Sequence, residues 1–239
     1  MNILIPMAGL GSRFKTVGYH APKPLIKVFN ETMIEAAIKS LCLEGNFIFA
    51  IREFEDSEKT KELEGILRKI DPFCKILKVE KLTDGPAETC LLAKDFINNE
   101  EPLVIANCDQ IMTWNEKEFS SFINGDMDGC VVTYTTEDPK HSFIELDDKG
   151  YGVQLREKVP ISNIGLTGIH YWRRGKDFVE SAESNIQENL RENGEFYVAP
   201  TYNYLIKKGM KISAYHIPED HFNPVGTPKD LDRYLEKYQ

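Results

Sequence analysis

The sequence has no long apolar run. Nowhere do apolar residues continue for the ~18 positions that a membrane-spanning helix needs, so no membrane span is expected. The chain enters its first apolar strand at once, without the basic stretch and long apolar core of an export signal. A cytoplasmic setting is the expectation. The five cysteines, Cys42, Cys74, Cys90, Cys108 and Cys130, are scattered, with no CxxC pair and no Cys/His ligand spacing. Most sit in apolar stretches and read as small core residues. No two histidines stand four apart on an expected helix, as a zinc site would require. Positive charge is in deficit: 29 Lys and Arg against 38 Asp and Glu give a net charge of −9. That balance argues against general nucleic-acid binding, which needs a basic face. It leaves room for a local cationic pocket around one phosphorylated ligand. Internal repeats, low-complexity tracts and flexible linkers are also missing.

What is present fits one large domain: 239 residues, 41% of them hydrophobic. The first half alternates between strands and helices. Strands are expected at Asn2 to Met7, Asn46 to Ile51, Cys74 to Val79 and Leu103 to Asn107. Helices are expected at Glu31 to Leu43, Ser57 to Ile70 and Ala87 to Phe96. Such alternation predicts a mostly parallel sheet covered on both faces, with ligands at the carboxyl ends of its strands. After about Gly129 the chain turns β-rich. A hairpin bends at Asp148-Lys149-Gly150, and strands follow at GLTGIHYW and KISAYHI. Helices are expected at Phe178 to Leu190, near Ala199 to Lys208, and at Pro228 to Tyr238. The fold class expected is α/β: three layers, α/β/α, around a mostly parallel mixed sheet of Rossmann-like kind, with a small β-rich embellishment.

The segment MNILIPMAGLGSRFKTVGYHAPKPL carries the first chemistry. Glycines directly after a strand allow close backbone approach to an anion. The string GxxxxGK[ST] of a P-loop does not occur, and Gly9-Leu10-Gly11-Ser12-Arg13-Phe14 lacks the third glycine of a dinucleotide fingerprint. Two cations, Arg13 and Lys23, accompany the loop instead. Arginine offers a planar fork to phosphate oxygens and lysine a mobile point charge. That pair suits a polyphosphate that becomes a leaving group.

The Gly-x-Gly-x-Arg string followed by Pro22-Lys23-Pro24 resembles the signature of the sugar-phosphate nucleotidyltransferases, or nucleotide-sugar pyrophosphorylases. Weaker matches follow in the family's order along nearly the whole chain. The resemblance implies one domain over 1–239, with a nucleotide-binding half (1–128) and an acceptor-binding half (129–239). It implies nucleotide contacts at Met7, Ala8, Gly9, Gly11 and Ser12, at the turn around Gly85, and at Asn107. Asp109, at the end of an apolar strand, matches the family's Mg2+ ligand. Lys158 matches the lysine on the acceptor phosphate, and Glu157 either holds that lysine or touches the acceptor. Gly168 matches the acceptor pocket, and Glu195 a lid segment on the acceptor side. Glu88, if it faces the base, accepts hydrogen bonds only, which leans the choice of nucleotide to CTP or GTP.

One match departs from the pattern. Phe222-Asn223-Pro224-Val225-Gly226-Thr227-Pro228 aligns with a family string whose Asp, two residues before the Gly, is the second metal ligand. Here that position is Pro224, which has no ligand atom. Asn223 or Asp220 is left to serve, or the contact is lost. The function implied is transfer of a nucleotidyl group from an NTP to a phosphorylated small molecule, expected to be a sugar 1-phosphate, with release of pyrophosphate. The implied setting is bacterial capsule or envelope polysaccharide synthesis. Mg2+ is the implied cofactor, a homodimer is compatible, and neither nucleic acid nor membrane is a partner. Two alternatives stay open: a GT-A glycosyltransferase consuming an NDP-sugar, and a nucleotide sensor without turnover.

Overall fold

The computed structural model describes all residues, 1–239. In chain order its elements are β1 (Asn2–Met7), α1 (Ser12–Lys15), β2 (Lys27–Val28), β3 (Glu31–Thr32), α2 (Met33–Leu41), β4 (Asn46–Arg52), α3 (Ser57–Ile70), β5 (Lys75–Val79), α4 (Pro86–Leu91), α5 (Lys94–Ile97) and β6 (Leu103–Ala106). There follow β7 (Gln110–Met112), α6 (Glu116–Ile123), β8 (Gly129–Thr135), β9 (Ser142–Leu146), β10 (Gly152–Glu157), β11 (Ile164–Trp172), α7 (Gly175–Gln187), α8 (Tyr202–Lys207), β12 (Ile212–His216), β13 (Phe222–Pro224) and α9 (Pro228–Lys237).

Nine strands form one mixed sheet. The path β10-β9-β11-β6-β1-β4-β5 runs neighbour to neighbour, with β8 added to β11 and β12 to β8. The β6-β1-β4-β5 portion is parallel, whereas β11 is antiparallel to both β6 and β8. Side-chain alternation along β1 builds both cores. Ile3, Ile5 and Met7 join Ile34 and Ile38 of α2 and Leu63 and Leu67 of α3 on one face. Leu4 joins Ala87, Phe178 and Tyr202 on the other. A strand covered on both faces has no polar side, and this is why NILIPM reads as a continuous apolar run. The expected three-layer α/β/α fold is the one observed.

The chain leaves β1 for β4 and β5 on one side and returns to β6 on the other. Strand order therefore reverses between β1 and β6, and a crevice opens beyond their carboxyl ends. Met7 passes there into the glycine loop, and Ala106 into Asn107, Cys108 and Asp109.

Several boundaries differ from expectation. Helix α2 begins at Met33 because Thr32 caps it: the Thr32 N–H donates to the Glu35 carboxylate at 2.8 Å, and the Glu35 N–H to the Thr32 hydroxyl at 3.4 Å. The helix expected at Ala87 to Phe96 breaks in two. Ala93 leaves the helical region, at φ −88° and ψ 8°, and Cys90 and Ile97 are both fully buried on either side of the break. The stretch after Asp109 holds β7 and α6, for which the sequence raises no expectation. Cys42 is exposed, unlike the other four cysteines, because it sits at the left-handed end of α2 with φ 51°.

Candidate active site

The opening loop is anchored from below. Phe14 is almost fully buried in a small apolar cluster with Ile26, Met33, Val225 and Leu231. With Phe14 pinned, its neighbour Arg13 lines the crevice. Gly11 has φ 62°, and a Cβ there would stand 3.1 Å from the Cβ of Lys23. A glycine lies this way against the lysine without the strain of a side chain at positive φ and without crowding the Lys23 Cβ. Pro22 is extended, and Lys23 to Leu25 form a single 3₁₀ turn. The prolines on either side of Lys23 restrict its backbone and aim its side chain into the crevice.

There Lys23 donates a hydrogen bond to the Asp109 carboxylate, and each side chain keeps roughly a quarter of its surface exposed. Burial on its own opposes the Lys23 charge. Burial is the largest single influence, but the charge and hydrogen bond of Asp109 together with Cys108 outweigh it and hold the Lys23 pKa above its ordinary value. The far end of the chain closes on the same acid. The Val225 N–H donates to the Asp109 carbonyl at 2.9 Å, and a Cβ at Gly226 would fall 2.2 Å from the carboxylate. Thr227 then caps α9 by accepting the Asp230 N–H, and Pro228 takes the first helical position. The string Gly-Thr-Pro is thus a close approach, a cap and a helix start.

Two chambers, of about 560 Å³ and about 310 Å³, adjoin at this pair. Arg13, Asn107 and Asp109 line both. The larger chamber also takes Met7, Ala8, Gly9, Gly11, Ser12, Lys23 and Gly85. The structure so brings together most of the residues expected to hold nucleotide. Glu157, Lys158 and Gly168 line the smaller chamber. Gly168, at φ 91°, leaves no room for a Cβ, which would collide with the Asn107 amide at 2.2 Å. Lys158 has a left-handed backbone, φ 57°. Its Nζ donates to the Tyr197 hydroxyl at 2.6 Å and lies 4.6 Å from the centre of that ring. Glu157 is buried and accepts from the Ser142 hydroxyl. Burial pushes its pKa up, and the Ser142 bond and Lys158 only partly oppose this.

A strap between α7 and α8 joins the chambers. It reverses at Asn193 and Gly194, both at positive φ. The Phe196 N–H donates to the Asp84 carbonyl at 2.8 Å, and the Ala87 N–H to the Phe196 carbonyl at 2.9 Å. Arg191 pairs with Asp84 at 2.7 Å. On the other side, Glu192 pairs with Arg156 at 2.5 Å and accepts the Glu157 N–H.

Four expected residues stand elsewhere. Glu88 accepts the Asp84 backbone N–H, fixes the turn before α4, and lines neither chamber. The lean to CTP or GTP that rested on it loses its support. Glu195 lines the larger chamber, not the smaller one, because Phe196 is fastened to the Asp84–Ala87 turn. Asn223 is buried on the opposite side of β13 from the site. Its carbonyl oxygen accepts from Lys237 at 3.1 Å, and its amide donates to the Ile111 carbonyl. Asp220 is exposed in the turn before β13. Neither reaches the chambers. Conversely, Lys140, His141 and Asp230 line the smaller chamber although no sequence motif marks them, and so do Gln110 and His170, which lie within the family-like strings around Asp109 and Gly168 without being singled out there. What gathers them is the pairing of β7 with β13 and of β11 with β6, the turn into β9 and the first turn of α9.

Three or more acidic, imidazole or thiol groups do not converge anywhere as a metal cage. Asp109 is the carboxylate at the seam of the chambers. Mg2+ often retains waters and takes one or two carboxylates plus substrate phosphates. This donor set fits an ion carried in by a triphosphate, not one caged by protein.

A crevice at the reversal point of a mixed α/β sheet, with a glycine loop, two cations and a strand-end acid, defines a protein that handles phosphate groups on a nucleotide-binding fold. The chain belongs to the nucleotidyl transferase family, whose model matches residues 3–239, and within it to the sugar-phosphate nucleotidyltransferases. It is 26% identical over 245 residues to the bifunctional protein GlmU of Methanocaldococcus jannaschii, covering 98% of this chain and 54% of that one. It is 25% identical over 237 residues to the low-salt glycan biosynthesis nucleotidyltransferase Agl11 of Haloferax volcanii, covering 97% and 64%. The chain thus spans roughly half to two-thirds of the length of these relatives. Among solved structures it superposes on the nucleoside-diphosphate-sugar pyrophosphorylase of Vibrio cholerae RC9 with a TM-score of 0.85 and 26% identity, covering 98% and 99%. No helix is long and apolar enough to cross a membrane.

Proposed function

We propose that the protein transfers a nucleotidyl group from an NTP to the phosphate of a small acceptor, a sugar 1-phosphate in the first instance, and releases pyrophosphate. The observation that carries this is the seam: Arg13, Asn107 and Asp109 face both chambers, with Lys23 held at Asp109. The larger chamber takes the nucleotide and the smaller one the acceptor. An acceptor phosphate oxygen attacks the α-phosphorus in line, the new P–O bond forms, and the bond to pyrophosphate breaks. A phosphate monoester carries a negative charge at neutral pH, so no side chain has to remove a proton. The protein positions the two phosphates and offsets their charge.

Gly9 and Gly11 leave the loop backbone free to approach the triphosphate. Arg13 holds the departing phosphates, Lys23 the phosphorus under attack, and Lys158 the acceptor phosphate. Asp109 and the substrate phosphates would share a Mg2+ ion, which offsets the charge that builds up on the phosphates. Lys23 has to be drawn from Asp109 when such an ion binds. The base faces the turn at Thr83 and Gly85. We assign the product to glycan assembly, in keeping with the glycan biosynthesis for which Agl11 is named, and a capsule or envelope polymer is the particular setting proposed. The test is a screen of four NTPs against sugar, polyol and amino-acyl phosphates, read as pyrophosphate. Release of NDP from an NDP-sugar, without pyrophosphate from any NTP, would establish the glycosyltransferase alternative instead.

A further inference from the structure

We propose that Glu192 is a positioning residue: it sets Lys158 for the acceptor phosphate and ties that setting to the Asp84–Ala87 turn. The proposal rests on the proposed function, which gives Lys158 to the acceptor phosphate and that turn to the nucleotide. Strand β10, which leads into Lys158, is the outermost strand of the sheet path and pairs with β9. Its Leu155 and Glu157 N–H groups, two residues apart, point to the same edge, and side chains stand in there for a further strand. The Leu155 N–H donates to Asn203 Oδ1 at 2.8 Å, and the Asn203 amide donates back to the Leu155 carbonyl at 2.8 Å. The Glu157 N–H donates to one carboxylate oxygen of Glu192, and Arg156 Nε donates to the other at 2.5 Å.

Lys158 needs such a hold. Its backbone is left-handed, at φ 57°, and a residue with a Cβ keeps that conformation only where its surroundings impose it. The Lys158 N–H donates to the His141 carbonyl at 2.9 Å, and the Glu157 N–H, one residue earlier, is held by Glu192. The Glu192 side chain is 17% exposed, which leaves its ion pair less screened than one on the surface. From Glu192 the chain runs directly to the turn of the other chamber. Glu192 and Glu195 exchange backbone N–H···O=C bonds of 3.0 Å each, and Phe196 is fastened to Asp84 and Ala87. Arg191, on the other side of Glu192, pairs with Asp84 at 2.7 Å. Tyr197, next after Phe196, accepts from Lys158 and lines both chambers. Whatever orders the turn therefore also steadies the carboxylate that holds the strand end, and such coupling is reciprocal.

The test compares wild type, Glu192→Ala and Glu192→Gln, the last of which keeps one oxygen for the Glu157 N–H. Glu192→Met, similar in length but without oxygens, covers the case in which Glu192→Ala fails to fold. Pyrophosphate release is measured with α-D-glucose 1-phosphate, or with the acceptor that the phosphate screen returns. Hydrogen–deuterium exchange, read by mass spectrometry, is followed at residues 83–88 and 155–160 with Mg2+ and each of the four NTPs in turn, acceptor absent. Glu192→Ala should raise the KM for the acceptor about tenfold with the KM for the NTP unchanged, and Glu192→Gln should recover most of the loss. In wild type the NTP should slow exchange in both segments, and in Glu192→Ala only at 83–88. An unchanged acceptor KM in Glu192→Ala, or protection that still reaches 155–160 there, overturns the proposal and leaves Glu192 a merely structural tie. Should no acceptor give pyrophosphate while protection spreads in wild type and not in the variant, the reaction reading fails and the coupling stands. Absence of both turnover and protection defeats both.

Discussion

Lys158 shows how one residue can be costly to the fold and useful to the site. Its left-handed φ of 57° is unfavourable for a residue with a Cβ by about 1–2 kcal/mol, and the strand end keeps it there with its side chain over Tyr197. Truncation to alanine retains the strain, whereas truncation to glycine relieves it. Lys158→Gly should therefore be about 1 kcal/mol more stable than Lys158→Ala in urea titrations, while both lose acceptor turnover. Equal stabilities would show that the backbone is unstrained. Arg13→Ala and Lys23→Ala should each lower pyrophosphate release by a factor on the order of 10²–10³ with unchanged circular dichroism. Near-normal turnover in either variant would show that its side chain does not hold the reacting phosphates. The sequence showed which charges were available but not which way they face. Glu88 and Glu195 were plausible by type. A backbone N–H at Asp84 claims the first, and the fastening of Phe196 carries the second into the other chamber.

Among the elements, those with strong periodicity were legible. Helix α3 runs over Ser57–Ile70 as expected, with Leu63 and Leu67 inward and Asp56 as its cap. Strand β7 has only three residues and pairs with β13 more than a hundred positions away, so no local pattern announces it. The strap was legible only as a lid-like string. Its grip on the Asp84–Ala87 turn depends on Gly85, at φ 141°, where a Cβ would meet the Phe196 backbone at 2.5 Å. Gly85→Ala should cost about 1–3 kcal/mol and raise the KM for the NTP more than that for the acceptor, as steady-state kinetics would show. A change confined to the acceptor KM would mean that the strap does not serve the nucleotide side.

For the molecule as a whole, acid should be destabilising. Burial, with Lys140 close by, lowers the pKa of His141 to about 4, and burial alone lowers that of His170 to about 3. Both rings are neutral in the fold and become charged on unfolding below the ordinary value of 6.5. Their contribution is complete above that value and is lost as pH falls toward the folded values, at about 1.4 kcal/mol per pH unit for each ring. Glu157, whose pKa is raised, acts in the opposite sense. His141→Phe with His170→Phe should flatten the fall in urea midpoint between pH 7 and pH 5, and an unaltered slope would show that other groups control it.

The sheet that β11 shares with β6, and the contact of Gly226 with Asp109, bear on how such a protein can change its substrate. Strand β11 ties the second half of the sheet to the first through its last four residues, Ile169–Trp172, paired with β6, and Gly226, near the far end of the chain, lines both chambers. The two halves are therefore poor cassettes: expressed apart, neither is expected to hold its share of the site. Diversification has to proceed by replacing individual side chains around the smaller chamber while the seam stays as it is. Grafting a foreign acceptor half would break the seam before it altered selectivity.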